Sequence, residues 1–196
     1  MLSIPEKIHT DRLLLRRWRR EDREPFAAIN ADPQVMEFFP KLLTREESDA
    51  RADRIEAHFA EHGFGVWAVE LPGIVSFAGL VGLTIPPFSA HFTPCIEIGW
   101  RLAAEYWNRG YATEGARAAL DFAFKYLVAN EIVSFTVPAN VRSRRVMEKI
   151  GMTHDVAGDF DHPSLPVGHP LRRHVLYRVG RDQWSRHCES PDQWSG

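Results

Sequence analysis

The reading of the fold turns on Cys95–Val128, CIEIGWRLAAEYWNRGYATEGARAALDFAFKYLV. Its opening has a period of two: Ile96, Ile98, Trp100 and Leu102 alternate with Glu97, Gly99 and Arg101, the pattern of a strand. Its second half repeats at helical spacing through Ala112, Ala116, Ala119, Leu120, Ala123 and Leu127. Between them lies the turn Asn108-Arg109-Gly110-Tyr111-Ala112-Thr113, with little bulk at Gly110 and Ala112. A strand, a small-residue turn and a helix N-terminus make a place for an anion. The first-turn amides have no intrahelical partner, and the helix dipole adds partial positive charge. Arg109 adds a full charge, and this stretch is the expected cofactor site.

Working outward, Leu13-Leu14-Leu15 reads as a first strand and Glu21 to Asn30 as a short helix with Phe26 and Ile29 inward. Pro33, at the start of a second short turn, suits the first position of a helix. Thr44-Arg45-Glu46-Glu47 fits a capping box, opening a helix that runs to about His62 with Ala52, Ile55 and Phe59 inward and Gly63 as its stop. Val66–Glu70 and Phe77–Ile85 read as a hairpin around Pro72-Gly73. In its second strand, Gly79 and Gly82 either weaken the strand or admit a close neighbour. Beyond the central stretch come a strand at Ile132–Val137 and a helix at Val141–Ile150 stopped by Gly151. A strand from about Met152, a loop from Asp159 to Pro170 and a last strand at His174–Val179 follow. Helices, a hairpin, then alternating strands and helices predict an α+β chain, a mixed sheet with helices on its faces.

The 196 residues read as one domain, with its core at about 10–180 and a short C-terminal tail. Hydrophobic residues make up 44% and charged residues 26%, which argues against disorder or a fibre. A net charge of -2 gives no electrostatic case for binding nucleic acid or an anionic membrane. The basic run Arg16-Arg17-Trp18-Arg19-Arg20 is followed at once by Glu21, Asp22 and Glu24, and reads as a solvated strand end. Two cysteines, Cys95 and Cys188, make no disulfide framework, and no segment has a signal core or about 18 uninterrupted apolar residues. A soluble cytoplasmic protein, monomer or homodimer, is expected. His58 and His62 lie one helical turn apart, but spacing supplies no third ligand, so no metal is expected.

The segment from Trp107 to Glu114, following Glu97-Ile98-Gly99-Trp100, resembles the GNAT superfamily of acyl-CoA N-acyltransferases. The branch it most resembles is that of the ribosomal-protein N-terminal acetyltransferases. The resemblance covers nearly the whole chain. It begins at Thr10-Asp11-Arg12-Leu13-Leu14-Leu15-Arg16, includes residues 140–152, and ends at Val175-Leu176-Tyr177-Arg178. It implies a splayed mixed sheet of about six to seven strands flanked by helices on both faces. Acetyl-CoA would lie where two parallel strands part, the one ending near Leu102 and the one at Ile132–Val137. Parted strands leave backbone groups that need partners, and the pantetheine amides can supply them. The implied cofactor contacts are Ile98, Gly99, Trp100, Arg101 and Leu102 on the strand. At the turn they are Asn108, Arg109, Gly110, Tyr111, Ala112 and Thr113, with Asn140 and Ser143 beyond the second strand. Asn140 equally fits a helix cap. Where many relatives carry Gln or Arg three residues before the glycine, this chain has Trp107.

Transfer of an acetyl group to an amine needs a neutral nucleophile, a stabilised oxyanion and a proton for the leaving thiolate. Glu97 is the first candidate base: a glutamate in an otherwise apolar strand, beside the expected splay, would have its pKa raised by burial. A solvent-facing or arginine-paired carboxylate is the rival reading. The tyrosine that donates the proton in many relatives is replaced by Met147, which has none to give. Ser143 matches a serine that serves in the ribosomal-protein branch, and a first-turn structural serine is its alternative. A backbone amide near Gly99 or Trp100 is the expected oxyanion donor. In Asp159-Phe160-Asp161-His162-Pro163, Asp161 or His162 is a second candidate for acceptor recognition or base, against a plain surface loop. These residues point to an acetyl-CoA-dependent N-acetyltransferase acting directly on an amine, either a protein N-terminus or a small molecule. A non-catalytic CoA-binding sensor or interaction module is the alternative.

Overall fold

The computed structural model describes residues 5–189. Nine strands form one sheet: β1 (Ile8–His9), β2 (Leu14–Arg16), β3 (Val66–Leu71), β4 (Val75–Thr84), β5 (Glu97–Leu102), β6 (Glu131–Thr136), β7 (Thr153–His154), β8 (Phe160–Asp161) and β9 (Arg173–Gly180). Their spatial order is β1-β2-β3-β4-β5-β6-β9-β7, with β8 paired to β9 off this path. Every pairing is antiparallel except β5–β6. The mixed sheet expected from the pattern is present, extended beyond seven strands by the two-residue strands β1, β7 and β8.

Five α-helices accompany the described strands: α1 (Arg23–Ala31), α2 (Arg45–His62), α3 (Tyr111–Tyr126), α4 (Val141–Lys149) and α5 (Arg181–Glu189). The start of α2 follows from local chemistry. Thr44 accepts from the amide of Glu47, and the Glu47 side chain accepts from the amide of Thr44. Gly63 closes the helix at φ 73°, a left-handed conformation that costs glycine little. Residues 33–40, after Pro33, form turns rather than a helix. The α5 segment, expected as tail, is helical and packs on β9.

One core lies between the sheet and α3, joining Leu13, Leu15, Val81, Ile98, Leu102, Ala116 and Leu120, all buried. A second, under α1 and α2, joins Phe26, Ile29, Ala52, Phe77 and Leu80. Of the aromatic residues in the N-terminal half, Phe26, Phe59, Phe64 and Trp67 are core. Gly79 and Gly82 admit close neighbours: a Cβ there would stand 2.2 Å from the Arg101 carbonyl oxygen and 2.4 Å from that of Gly65. Arg16 corrects the reading of the basic run. It is 1% exposed, and its guanidinium grips both Asp22 oxygens at 2.7 and 2.9 Å and Glu70 at 2.7 Å. Of the acids that follow the run, Asp22 is thus a partner brought inside, whereas Glu24 stays exposed and pairs with Arg45. Arg17 and Arg19 pair with Glu56 and Glu70. Among the described residues no helix is long and apolar enough to cross a membrane.

Candidate active site

The sheet opens between β5 and β6. The pair registers only at Glu97 opposite Val133, supported by Val133 N–H donating to the Ile96 carbonyl (3.0 Å) and Ser134 Oγ donating to the Ile98 carbonyl (2.9 Å). Beyond Ile98 the strands part. Backbone groups alternate sides along a strand, so those of Ile96, Ile98, Trp100 and Leu102 face β6, whereas Glu97, Gly99 and Arg101 face β4. The Ala103 N–H bond to Ala78 on β4 (2.9 Å) fits this alternation. Trp100 therefore directs its N–H and C=O into the gap. The Leu102 carbonyl, next along, accepts from the Trp107 indole at 2.9 Å. Of the five strand residues expected to meet a cofactor, Ile98, Trp100 and Leu102 turn backbone to the opening. Gly99 and Arg101 are committed to the β4 ladder, because period two gives alternate residues opposite edges.

Side chains alternate too. Ile98 and Leu102 enter the α3 core, with Trp100 packed against it, while Glu97, Gly99 and Arg101 face α1 and α2. Glu97 keeps some surface but is enclosed by protein on most sides. Burial pushes its carboxyl up to about 8, against a smaller opposite pull from the Arg51 cation on α2. It has no ion-pair partner within 4 Å among the described residues, so the arginine-paired reading gives way to a carboxyl held near neutrality.

At the other end of the gap, Asn108 and Gly110 both take positive φ, 58° and 81°, and Gly110 caps α3. These left-handed residues turn the chain into the α3 first turn, whose leading amides have no intrahelical partner, beside the exposed Arg109. The N-terminal segment braces this turn. Arg12 and Thr10 both bond to Glu114, at 2.6 Å each, Arg12 donates to the Arg109 carbonyl at 2.9 Å, and its guanidinium sits 4.8 Å from the Tyr111 ring centre. A groove runs along α3 and is lined by Arg12, Gly110, Thr113, Arg117, Lys125 and Lys149 together with the acids Asp11, Glu114 and Asp121, with its Gly110–Thr113 end at the α3 N-terminus. The parted strands and the turn fit a CoA-shaped molecule: outward backbone groups for its amides, then amides and cations for its phosphates.

Across the gap, Asn140 caps α4, its Oδ1 accepting from the Ser143 amide at 3.1 Å while its Nδ2 donates to Thr136 at 3.0 Å. The capping reading is therefore realised, with one amide hydrogen and one lone pair to spare. The Ser143 hydroxyl is half-buried and makes no hydrogen bond among the described residues. Met147 is 1% exposed and is core. Asp161 is engaged elsewhere. It is exposed on β8, in ion pairs with Arg172 (3.2 Å) and Arg173 (3.6 Å). His162 joins Phe88, Phe92, Phe135, Phe160 and His174 in one ring cluster. Phe160 and His162 stand out in the sequence, but no local pattern joins them to Phe88, Phe92, Phe135 and His174, because the members come from four separate segments. His58 is used structurally: Nε2 accepts from the Ile85 amide (3.1 Å), which leaves Nδ1–H to donate to the Phe64 carbonyl (2.9 Å).

The structure gives Arg101 surroundings that the sequence did not show, and it brings in residues not singled out there, among them Phe39, Ser48, Arg142 and Glu37. Arg101, 6% exposed, donates to the Asn30 side chain and stacks 3.9 Å over the Phe39 ring, and Asn30 in turn donates to Ser48 at 2.8 Å. Arg142 at the start of α4 lies 4.7 Å over Trp107 and pairs with Glu37 at 2.6 Å. This ties α4 to the 32–44 loop across the mouth of the gap.

Known proteins share this arrangement. The acetyltransferase (GNAT) domain family matches residues 12–153. An uncharacterized N-acetyltransferase of Bacillus subtilis, YnaD, is 31% identical over 180 residues, covering 91% of this chain and 99% of its own. The FsC-acetyl coenzyme A-N(2)-transacetylase of Aspergillus fumigatus is 31% identical over 186 residues, covering 91% of this chain and 78% of its own. Among solved structures, a GNAT-family acetyltransferase from Bacillus anthracis superposes with a TM-score of 0.73 at 29% identity, covering 90% of this chain and 99% of that one. The parted β5–β6 pair, the α3 turn and these likenesses agree, and the chain belongs to the GNAT family of acetyltransferases.

Proposed function

We propose that the chain is an acetyl-CoA-dependent N-acetyltransferase that moves the acetyl group directly to an amine, with Glu97 as the general base. The observation that carries this reading is a carboxyl raised to about 8 at the residue where β5 and β6 part. Bound acetyl-CoA would supply an activated thioester. The chain would hold its amides on the gap-facing backbone of Ile98, Trp100 and Leu102, with Asn140 from the other wall. Its phosphates would meet the amides from Asn108 to Thr113 and the Arg109 cation.

An ammonium cannot attack, so the acceptor must lose a proton. Glu97, once ionised, takes it as the new C–N bond forms. The Trp100 N–H, aimed into the gap, donates to the oxygen that gains charge. The half-buried Ser143 hydroxyl, at the first turn of α4, is the group for returning a proton to the departing sulfur. Asp161, held by two arginines, stays outside this reading. The test is an assay of CoA release from acetyl-CoA against amines and N-terminally free peptides. Acceptor-stimulated release supports the reading, and its absence across the panel, with acetyl-CoA bound, counts against it.

A further inference from the structure

Arg101 is a buried cation without an anion. Its guanidinium is 6% exposed, its donation goes to a neutral amide on Asn30, and its Nε is buried with no hydrogen-bond partner. No carboxylate among the described residues lies within ion-pair distance of it. The charge that bears on it is another cation, Arg51 on α2, which makes no ion pair among the described residues and is further repelled by Arg54. Glu97 does not balance the two: it makes no ion pair with either arginine, and burial keeps its carboxyl largely protonated at pH 7. An arginine does not shed its proton to escape burial. A buried charge left without a partner costs several kcal/mol, so folds supply one or a ligand does. Arg16 in this same chain shows the first solution, with Asp22 and Glu70 around it.

The place is also open. Gly99 lies on the same face between Glu97 and Arg101, and nothing stands within 4 Å of where its Cβ would be. Four strand residues span roughly 13 Å, enough for a small molecule to reach from the Glu97 carboxyl to the guanidinium. With one guanidinium nitrogen on Asn30, the Nε edge remains, the edge that takes a carboxylate in two parallel bonds. Building on the reading of this cleft as an acetyltransferase site, we infer that the acceptor carries a carboxylate as well as its amine. The carboxylate is received by Arg101 and Arg51, and the amine lies toward Glu97.

The test uses acetyl-CoA as donor for turnover and CoA-loaded protein for binding, with matched pairs: the proteinogenic amino acids, β-alanine and 4-aminobutyrate, each against its own carboxamide. A second arm uses N-terminally free peptides with Asp or Glu at the second position against Asn or Gln, which separates a free amino acid from an acidic protein N-terminus. Both kcat/KM and calorimetric Kd are read. In at least one pair the carboxylate should be favoured by tenfold or more. Arg101→Gln and Arg51→Gln should each shrink that ratio toward one, with Arg101→Lys retaining part of it. Arg51, partly exposed on α2, covers the case in which Arg101→Gln fails to fold. Equal handling of every pair, no binding by any, or a ratio untouched by either glutamine variant overturns the inference. Acetylation of amides and acids alike overturns it while leaving the acetyltransferase reading intact. Carboxylate-selective binding without acetyl transfer upholds the anion site and counts against the acetyltransferase reading.

Discussion

Glu97→Gln separates chemistry from stability in one substitution. Raising the carboxyl from 4.5 to about 8 means that the folded protein holds a proton that the unfolded chain releases. Stability therefore falls as pH rises from about 4.5 to about 8, and above that the full penalty for the ionised group is present. At about 1.4 kcal/mol per tenfold change the penalty approaches 5 kcal/mol at pH 9, and the residue's partial exposure brings it to about 2–3. Glutamine carries no such charge. The variant should match the wild type near pH 5 and melt about 5–10 °C higher at pH 9, by thermal unfolding across that range. Activity should move the other way. Only about one wild-type molecule in ten has the base ionised at pH 7, so kcat/KM should climb about tenfold before levelling above pH 8. Glu97→Gln should lose roughly 10²-fold or more and lack this climb when both proteins are measured with the same acceptor. An unchanged pH–rate profile, together with a melting difference constant from pH 5 to 9, would refute both the base and the burial argument.

Three further substitutions probe the supports of the site. Asp22→Ala strips the bidentate partner from buried Arg16 and should cost about 3–5 kcal/mol in urea unfolding, with Arg16→Met/Asp22→Leu recovering much of it. An undiminished midpoint in Asp22→Ala would show that Glu70 alone holds the guanidinium. Gly110→Ala places a Cβ at φ 81°, 3.2 Å from Arg12 Nη2, at a cost of about 1–2 kcal/mol. The acetyl-CoA Kd by calorimetry should rise about tenfold, and an unchanged Kd would detach the turn from the phosphates. Thr44→Ala removes one half of the capping box and should lower stability by about 1 kcal/mol, read as a melting loss of about 2–4 °C with kcat retained.

Features set by neighbours in the chain were legible in the sequence. The capping box at Thr44–Glu47, the left-handed stop at Gly63, the period-two strand from Ile96 to Leu102 and the turn into α3 all depend on residues a few positions apart. The parting of β5 from β6 entered through family resemblance, and the single registered pair Glu97–Val133 gives it a location. What sequence alone could not decide was sidedness and company. Arg16 and Arg101 look alike as letters in strand patterns, yet one is enclosed with Asp22 and Glu70 and the other with Asn30 and Phe39. The partners of Arg101 lie some sixty or seventy positions away, on α1 and its following loop, where no local periodicity points to them. Glu97 acquires its raised pKa only through burial by the packed fold, and Asp161 stays exposed in ion pairs with Arg172 and with Arg173 on β9. Local hydrogen bonding and hydrophobic period determine elements. The charge state of a site depends on what long-range packing removes from water, and that is settled only when the helices are laid on the sheet.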